Sequence, residues 1–565
     1  MRSRGTGTRP SWNATGNSRR FSTGYAKPTP SIASRSVSGK GAAPLCRSGG
    51  VSVPDRSSGG KTGDSIVNTV KQADSGPWEP ALPTNRGLYY GGAWHDPVTG
   101  SYAPTFDPGR GTTLCDVAES TAEDIDKAVE AARAGFLVWR DTPPLERARI
   151  LKEIARILRD NARELATIDA ANCGNPVAEM MGDARIAAAQ TEFFAGLVTE
   201  IKGATIPMGP DALNYSIRQP LGVVARIVAF NHPFMFVAGK MAAPLAAGNA
   251  VIMKPPAQAP LSSLRLAELV GDLLPPGVFN VIPGGTAPGA ALAGHAGVDK
   301  VTLIGSVPAG RAVMRSASDT VKPVLLELGG KNALIGFGDS DPDAVARAVV
   351  GGMNFTWCGQ SCGSTSRAFL HADIHDAVVE RVREAASRFR PGIPTDPQTT
   401  MGAIVNKAQH ERVLSYIRSA KEEGATLVYG GNVPDDPALK DGFYVEPTIF
   451  SDVRATMRIA REEIFGPVLA VFKWDDESAM IEDVNSLEYG LTCSIWTRDL
   501  ETAHRTAQAV EAGFVWINEV SKHFIGAPFG GVKQSGIGRE ESIEELLGFT
   551  HEKNIHVNLA GQPRA

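Results

Sequence analysis

"VVARIVAF" (223–230) opens a series of four short β-rich runs, continued by "AVIM" (250–253), "VFNVI" (278–282) and "KVTLI" (300–304). Helix-length segments separate them, among them "SSLRLAELVGDLL". Strands that alternate with helices imply βαβ units and a parallel sheet with right-handed crossovers. Ligands of such sheets lie outside the carboxyl ends of the strands. The unusual residues gather there: "FNHP" after the first run, "KPPAQAP" after the second, "PGG" after the third and "GSVPAG" after the fourth. The layout suits a dinucleotide, although the glycine fingerprint is missing: Gly305 and Gly310 lie five apart with Val307 between them.

Order is expected to begin near "GLYYGGAWHDPVTG". Two amphipathic helices should follow, "STAEDIDKAVEAARAGF" with Ser120 and Glu123 in capping-box spacing, and "PLERARILKEIARILRD". A second α/β segment contains "NFTWCGQSCG", "EEIFGPVLAVF" and "GFVWIN". "GATIPMGPDALNYSIRQP" and "HEKNIHVNL" read as strands away from the main sheets, suited to edge pairing with another subunit. The expected fold is α/β: a Rossmann-like dinucleotide-binding domain (81–201 and 221–329), a second α/β catalytic domain (330–527) and a small β oligomerisation element. Residues 202–220 and 528–565 form the oligomerisation arm and C-terminal segment, and residues 1–80 a disordered basic tail.

At 565 residues the chain exceeds one compact core. No apolar run reaches membrane-spanning length; "PFMFVAGKMAAPLAAGNAVIM" is interrupted by Lys240 and glycines. Six cysteines make no disulfide framework, which points to a reducing, cytoplasmic setting. The net charge of −4 is uneven: residues 1–54 hold nine Lys or Arg and no Asp or Glu, leaving 48 basic against 61 acidic residues in the remainder. So acidic a body gives no reason to expect nucleic acid. The tail, with "SRRFST", reads as a flexible extension or a start placed too far upstream, with organelle import as the rival reading. Its "GGKT" lacks the upstream glycine of a phosphate loop, and "WNAT" is a sequon only in a secreted chain.

In "NFTWCGQSCG", Cys358 reads as the continuation of a helix running from Asp343 and stopped by Gly359. Cys362 lies beyond that stop among Gly359, Ser361, Gly363 and Ser364, where substrate and backbone amides could approach the sulfur. A buried cysteine is by default an inert small hydrophobe. "GQSC", "LELGGKN", "EEIFGPV", "PFGGVKQSGIGRE" and "PLGVVARIVAFNHP" together, however, resemble the aldehyde dehydrogenase superfamily, in the family's order from about residue 85 to 560. The resemblance implies Cys362 as nucleophile, with the Asn231 side-chain amide and the Cys362 backbone amide as oxyanion donors. Glu327 of "LELGG" would be the base that activates water on the thioester. A carboxylate after the apolar "VLL" should have a raised pKa; the rival reading pairs it with Lys331. Glu327 also favours release of a free acid over transfer to coenzyme A.

The same resemblance places the cofactor, NAD or NADP, on Val228, Ala229, Phe230, Lys254, Ala257, Gly285, Gly305, Ser306, Leu328, Glu463 and Phe465. Two positions depart from the family pattern. Ala257 stands where a glutamate normally accepts the ribose hydroxyls, which removes a reason to exclude a 2′-phosphate. "GSVPAG" replaces "GSTEVG". His232 stands where the family usually has an aromatic residue. Phe234, Phe236, Trp357 and Phe524 lie in segments that line the substrate tunnel of similar enzymes and suit an apolar or aromatic aldehyde. No metal is expected: His371 and His375 of "HADIH" lack a third ligand, and "DSDPDA" reads as a helix start. The partners implied are a small aldehyde and further copies of the chain, as a homodimer or homotetramer. Rival readings are a CoA-acylating aldehyde dehydrogenase and a non-catalytic binding protein on the same scaffold.

Overall fold

The computed structural model describes residues 76–561. The basic tail, with "SRRFST", "WNAT" and "GGKT", lies outside the described residues up to position 75. The four runs quoted above form strands Val223–Ile227, Ala250–Lys254, Phe279–Val281 and Lys300–Gly305, joined by Val324–Leu328. These five are parallel, in the order 324, 300, 223, 250, 279. The hairpin Leu88–Tyr90 and Ala93–His95 extends one edge and Gly536–Ile537 the other, both antiparallel. The first strand is shorter than its apolar run: Val228 still donates its N–H to the Lys254 carbonyl at 3.2 Å, and Ala229 and Phe230 carry the chain past the strand to the carboxyl edge.

A second, seven-stranded sheet contains Ala333–Gly336, Arg367–His371, Val468–Trp474, Thr492–Trp496 and Phe514–Ile517 in parallel, with Thr448–Ser451 and an antiparallel edge at Thr426–Tyr429. Each sheet is covered by helices and has its own buried apolar clusters. The two strands read as isolated elements pair with each other, from Thr550↔Pro220 to Asn558↔Ala212, and Thr205–Ile206 completes a three-stranded sheet. The Thr550–Asn558 strand forms an edge of that sheet.

Two local expectations are corrected. The first helix, Ala122–Arg140, starts one residue later than the spacing suggested: Asp124 accepts the Thr121 N–H at 2.8 Å. Ser120 instead donates to the Pro283 carbonyl at 2.6 Å. Cys358 does not continue a helix. The helix Pro342–Gly352, capped by Asp341 as "DSDPDA" predicted, ends before Met353, and Asn354 turns left-handed at φ 55°. A single 3₁₀ turn, Phe355–Trp357, then ends at Cys358, also at φ 55°. Asparagine tolerates that region because its short polar side chain bonds locally; here it donates to the Gly352 carbonyl at 3.3 Å and Ser364 Oγ at 3.1 Å.

Arg226, in the central parallel strand, is only 1% exposed. Its guanidinium donates to Glu540 at 2.7 Å and Glu545 at 3.0 Å, and Lys240 reaches Glu540 at 3.1 Å. This fully buried group of charges fastens the C-terminal segment to the sheet. Arg226→Ala strands buried carboxylates and is expected to cost about 3–5 kcal/mol of stability. Chemical denaturation followed by tryptophan fluorescence checks this; a midpoint equal to wild type would contradict it.

Candidate active site

The cysteine turn is held from several sides. Asn332 Nδ2 donates to the Cys362 carbonyl at 2.7 Å and the Ser364 carbonyl at 3.0 Å. Gln360, fully buried, accepts the Val405 N–H at 3.1 Å. The glycines allow close backbone approach: a Cβ at Gly359 (φ 64°) would lie 2.3 Å from the Gly466 carbonyl oxygen. Of the five described cysteines, all free thiols, four are buried and Cys362 alone is partly accessible. Cys358 is a packed thiol that donates to the Gly402 carbonyl at 3.1 Å.

Cys362, Asn231 and Glu327 line one cavity of about 510 Å³, a size typical of small-molecule sites. The Cys362 thiol faces the Glu327 carboxyl. Burial, and next the negative charge of Glu327, push the thiol well above its ordinary pKa. Burial raises Glu327 to about 8, while the Cys362 thiol and Lys240 pull the other way. One carboxyl oxygen, Oε1, has no hydrogen-bond partner among the described residues. Lys331 does not pair with Glu327: it is 1% exposed, its Nζ bonds nothing among the described residues, and burial lowers it to about 7. A desolvated carboxyl next to a thiol is a proton acceptor suited to near-neutral pH. Asn231 follows Phe230 beyond the central strand, its carbonyl accepting from Asn175 Nδ2 at 2.6 Å.

The same cavity is lined by Val228, Ala229, Phe230, Lys254, Ala257, Gly285, Gly305, Ser306, Glu463 and Phe465. Leu328 falls outside the lining. Its side chain packs where a Cβ at Gly310 would stand, and the neighbouring Gly329 lines the cavity in its place. Lys254 is 6% exposed and its ammonium makes no ion pair or hydrogen bond among the described residues; burial lowers it to about 8. A buried cation facing empty space is matched to an anionic or hydroxyl-rich ligand. Gly305 and Ser306 open the helix Val307–Ser318, whose first amides are suited to phosphate. These groups fit a dinucleotide, whose nicotinamide would lie toward Glu463 and Phe465. Glu463 accepts the Gly330 N–H at 2.9 Å, and burial raises it to about 7. Phe465 stands at φ 55°, a conformation costly for a bulky side chain, and packs edge-on to Phe230 at 5.6 Å.

Several contributors were not visible in the sequence. Gln409 donates to the Ile464 and Phe465 carbonyls at 2.9 Å each, and Arg412 to the Glu463 carbonyl at 2.9 Å; both line the cavity. Glu119 accepts the Gly285 N–H at 3.0 Å. Asn175 positions Asn231. None sits in a recognisable motif, so no signal short of the fold could have found them. The four aromatic candidates divide: Phe236 and Trp357 pack against His232, Phe234 is a core residue at 1% exposure, and Phe524 is 54% exposed. His371 caps its helix, accepting from Asp373 N–H, and no group of three metal-binding side chains occurs among the described residues.

The sequence model of the Aldehyde dehydrogenase family matches residues 94–555. Aldehyde dehydrogenase tropH of Talaromyces stipitatus is 53% identical over 493 residues, spanning 86% of this chain and 96% of that protein. Betaine aldehyde dehydrogenase of Mesorhizobium japonicum is 43% identical over 472 residues, spanning 83% and 96%. Among solved structures, the indole-3-acetaldehyde dehydrogenase AldA of P. syringae, in complex with NAD+ and IAA, superposes with a TM-score of 0.82 at 36% identity, covering 85% of this chain and 98% of that one. The chain therefore belongs to the aldehyde dehydrogenase family and is an NAD(P)-dependent enzyme that oxidises aldehydes.

Proposed function

We propose that Cys362 is the nucleophile of this aldehyde dehydrogenase, Asn231 its oxyanion donor and Glu327 its general base, and that the product is the free carboxylic acid. The observation that carries this reading is the shared cavity of the three side chains, with thiol facing carboxyl. The thiol proton passes to Glu327 as sulfur bonds the carbonyl carbon. The oxyanion so formed lies within reach of the Asn231 amide and the Cys362 backbone N–H. When bound, the cofactor supplies the hydride acceptor. Cys362 then holds the acyl group as a thioester. Once it has given the thiol proton up to solvent, Glu327 takes a proton from water, whose oxygen bonds the acyl carbon as the carbon–sulfur bond breaks. A base with a pKa of about 8 works at neutral pH and strengthens as pH rises through that value. The same carboxyl argues against the CoA-acylating alternative, and the intact triad against a non-catalytic scaffold.

Ala257 offers no carboxylate to repel a 2′-phosphate while Lys254 stays unpaired, which supports use of both NAD and NADP. His232, Phe236 and Trp357 beyond Asn231 support an apolar or aromatic aldehyde. The open edge at Thr550–Asn558 supports a homodimer or homotetramer, and the free thiols a cytoplasmic, reducing compartment.

Cys362→Ala should lower steady-state turnover by about 10⁴-fold or more. Glu327→Gln should release a stoichiometric burst of reduced cofactor and then stall, with hydrolysis slowed about 10²–10⁴-fold and its rise with pH through about 8 removed. Rapid-mixing absorbance at 340 nm reads both; full turnover by Cys362→Ala, or acyl-CoA formation without free acid, would refute the reading. Ala257→Glu should shift the ratio of kcat/KM toward NAD over NADP by about tenfold or more. Initial rates with each cofactor test this, and a thousandfold preference for NAD in the wild type would defeat the dual-cofactor proposal.

A further inference from the structure

His232 is the residue that most departs from the expected pattern, and its surroundings are specific. The helix Val177–Gly196 packs against Pro233–Lys240, and it brings Asp183 to His232: the ring Nδ1 lies 2.8 Å from Asp183 Oδ2. The ring stands edge-on to Trp357 at 4.7 Å and to Phe236 at 5.5 Å between centroids. His232 is 6% exposed, yet its other nitrogen, Nε2, makes no hydrogen bond among the described residues. It follows Asn231 directly, and its ring meets Trp357 in the turn that leads to Cys362; Asn231 and Cys362 line the cavity shared with Lys254 and Ser306, and His232 stands behind that lining.

The acceptor at Asp183 fixes the imidazole. A carboxylate on Nδ1 demands a proton there, so neutral His232 presents Nε2 as an acceptor and protonated His232 presents it as a donor. Burial depresses the imidazole, but Asp183, Asp169 and Glu179 together outweigh it and raise the pKa above its ordinary value. A substrate hydroxyl can donate to one form and accept from the other. A carbonyl or ether oxygen pairs with only one. A carboxylate would come beside three carboxyl groups already gathered around the ring, Asp169, Glu179 and Asp183.

We infer that His232 is a specificity-determining residue that selects an aromatic aldehyde carrying a ring hydroxyl, with Asp183 as the positioning residue that holds its ring. This rests on the aromatic-aldehyde reading above. Trp357 and Phe236 supply the apolar walls, and Nε2 supplies the one polar contact.

The test is kcat/KM for the three hydroxybenzaldehyde isomers, benzaldehyde, 4-carboxybenzaldehyde and an aliphatic aldehyde. The wild type should prefer at least one hydroxy isomer to benzaldehyde by about tenfold or more, the scale of a buried hydrogen bond to a charged group, and should discriminate against the carboxylate. In His232→Phe that ratio should fall to about one, whatever the absolute rate. Asp183→Asn should reduce it at least threefold (an order-of-magnitude figure), and His232→Gln, which keeps a donor and an acceptor, should retain more of it than His232→Phe. A wild-type ratio near one, a preference for the carboxylate, or a ratio that survives His232→Phe overturns the inference while leaving the aromatic reading standing. Turnover of the aliphatic aldehyde with none of any aromatic one overturns both. The wild-type comparison decides the matter even if a variant fails to fold.

Discussion

A guanidinium placed in the central strand of a parallel sheet cannot remain unpaired, and the fold is organised around that constraint. Arg226 is sealed between helices, where an isolated charge would cost several kcal/mol. Its neutralising carboxylates, Glu540 and Glu545, lie more than 300 residues further along the chain. Satisfying Arg226 therefore draws the end of the chain onto its middle. The same movement sets Gly536 opposite Glu327 in the sheet register, and Lys240 against Glu540 and Glu541. A buried ionic group of this kind adds little net stability. Its effect is positional: it closes the sheet edge over Glu327.

That closure bears on the chemistry. Glu327 owes its raised pKa first to burial, with Glu540 adding to the shift and Lys240 opposing it. The Cys362 thiol is raised by burial and by Glu327 itself. Glu327 thus holds the thiol's proton affinity high, while the thiol partly offsets the rise that burial gives Glu327. Around them, the side chains that orient the turn spend their hydrogen bonds away from the sulfur, Asn332 and Gln360 on backbone and Asn354 on the Gly352 carbonyl and the Ser364 hydroxyl.

Much of this was legible in the primary structure because it is local. The alternation of β-rich runs and helices fixed a parallel sheet, and the residues past the strand ends marked the ligand edge. Where the reading erred, a neighbour distant in sequence had intervened. The helix expected to carry Cys358 stops at Gly352 because Asn354 finds Ser364 and the backbone folds back, Thr365 N–H meeting the Gly352 carbonyl at 2.8 Å. Leu328 was assigned to the cofactor, but strand alternation turns it under the helix Val307–Ser318 and leaves Gly329 to face the cavity. The two strands read as isolated found each other across 330 residues, a pairing that no periodicity encodes.

By itself, the order of residues determined the α/β class and the family motifs that contain Cys362, Asn231 and Glu327, because propensity and motif spacing act over a few residues. Only the tertiary structure decided that these three share one cavity, that Lys331 makes no pair with Glu327, and that His232 is held by Asp183. Those facts depend on burial and on through-space contacts between segments far apart in the chain, and desolvation is a property of the packed molecule that linear order does not contain.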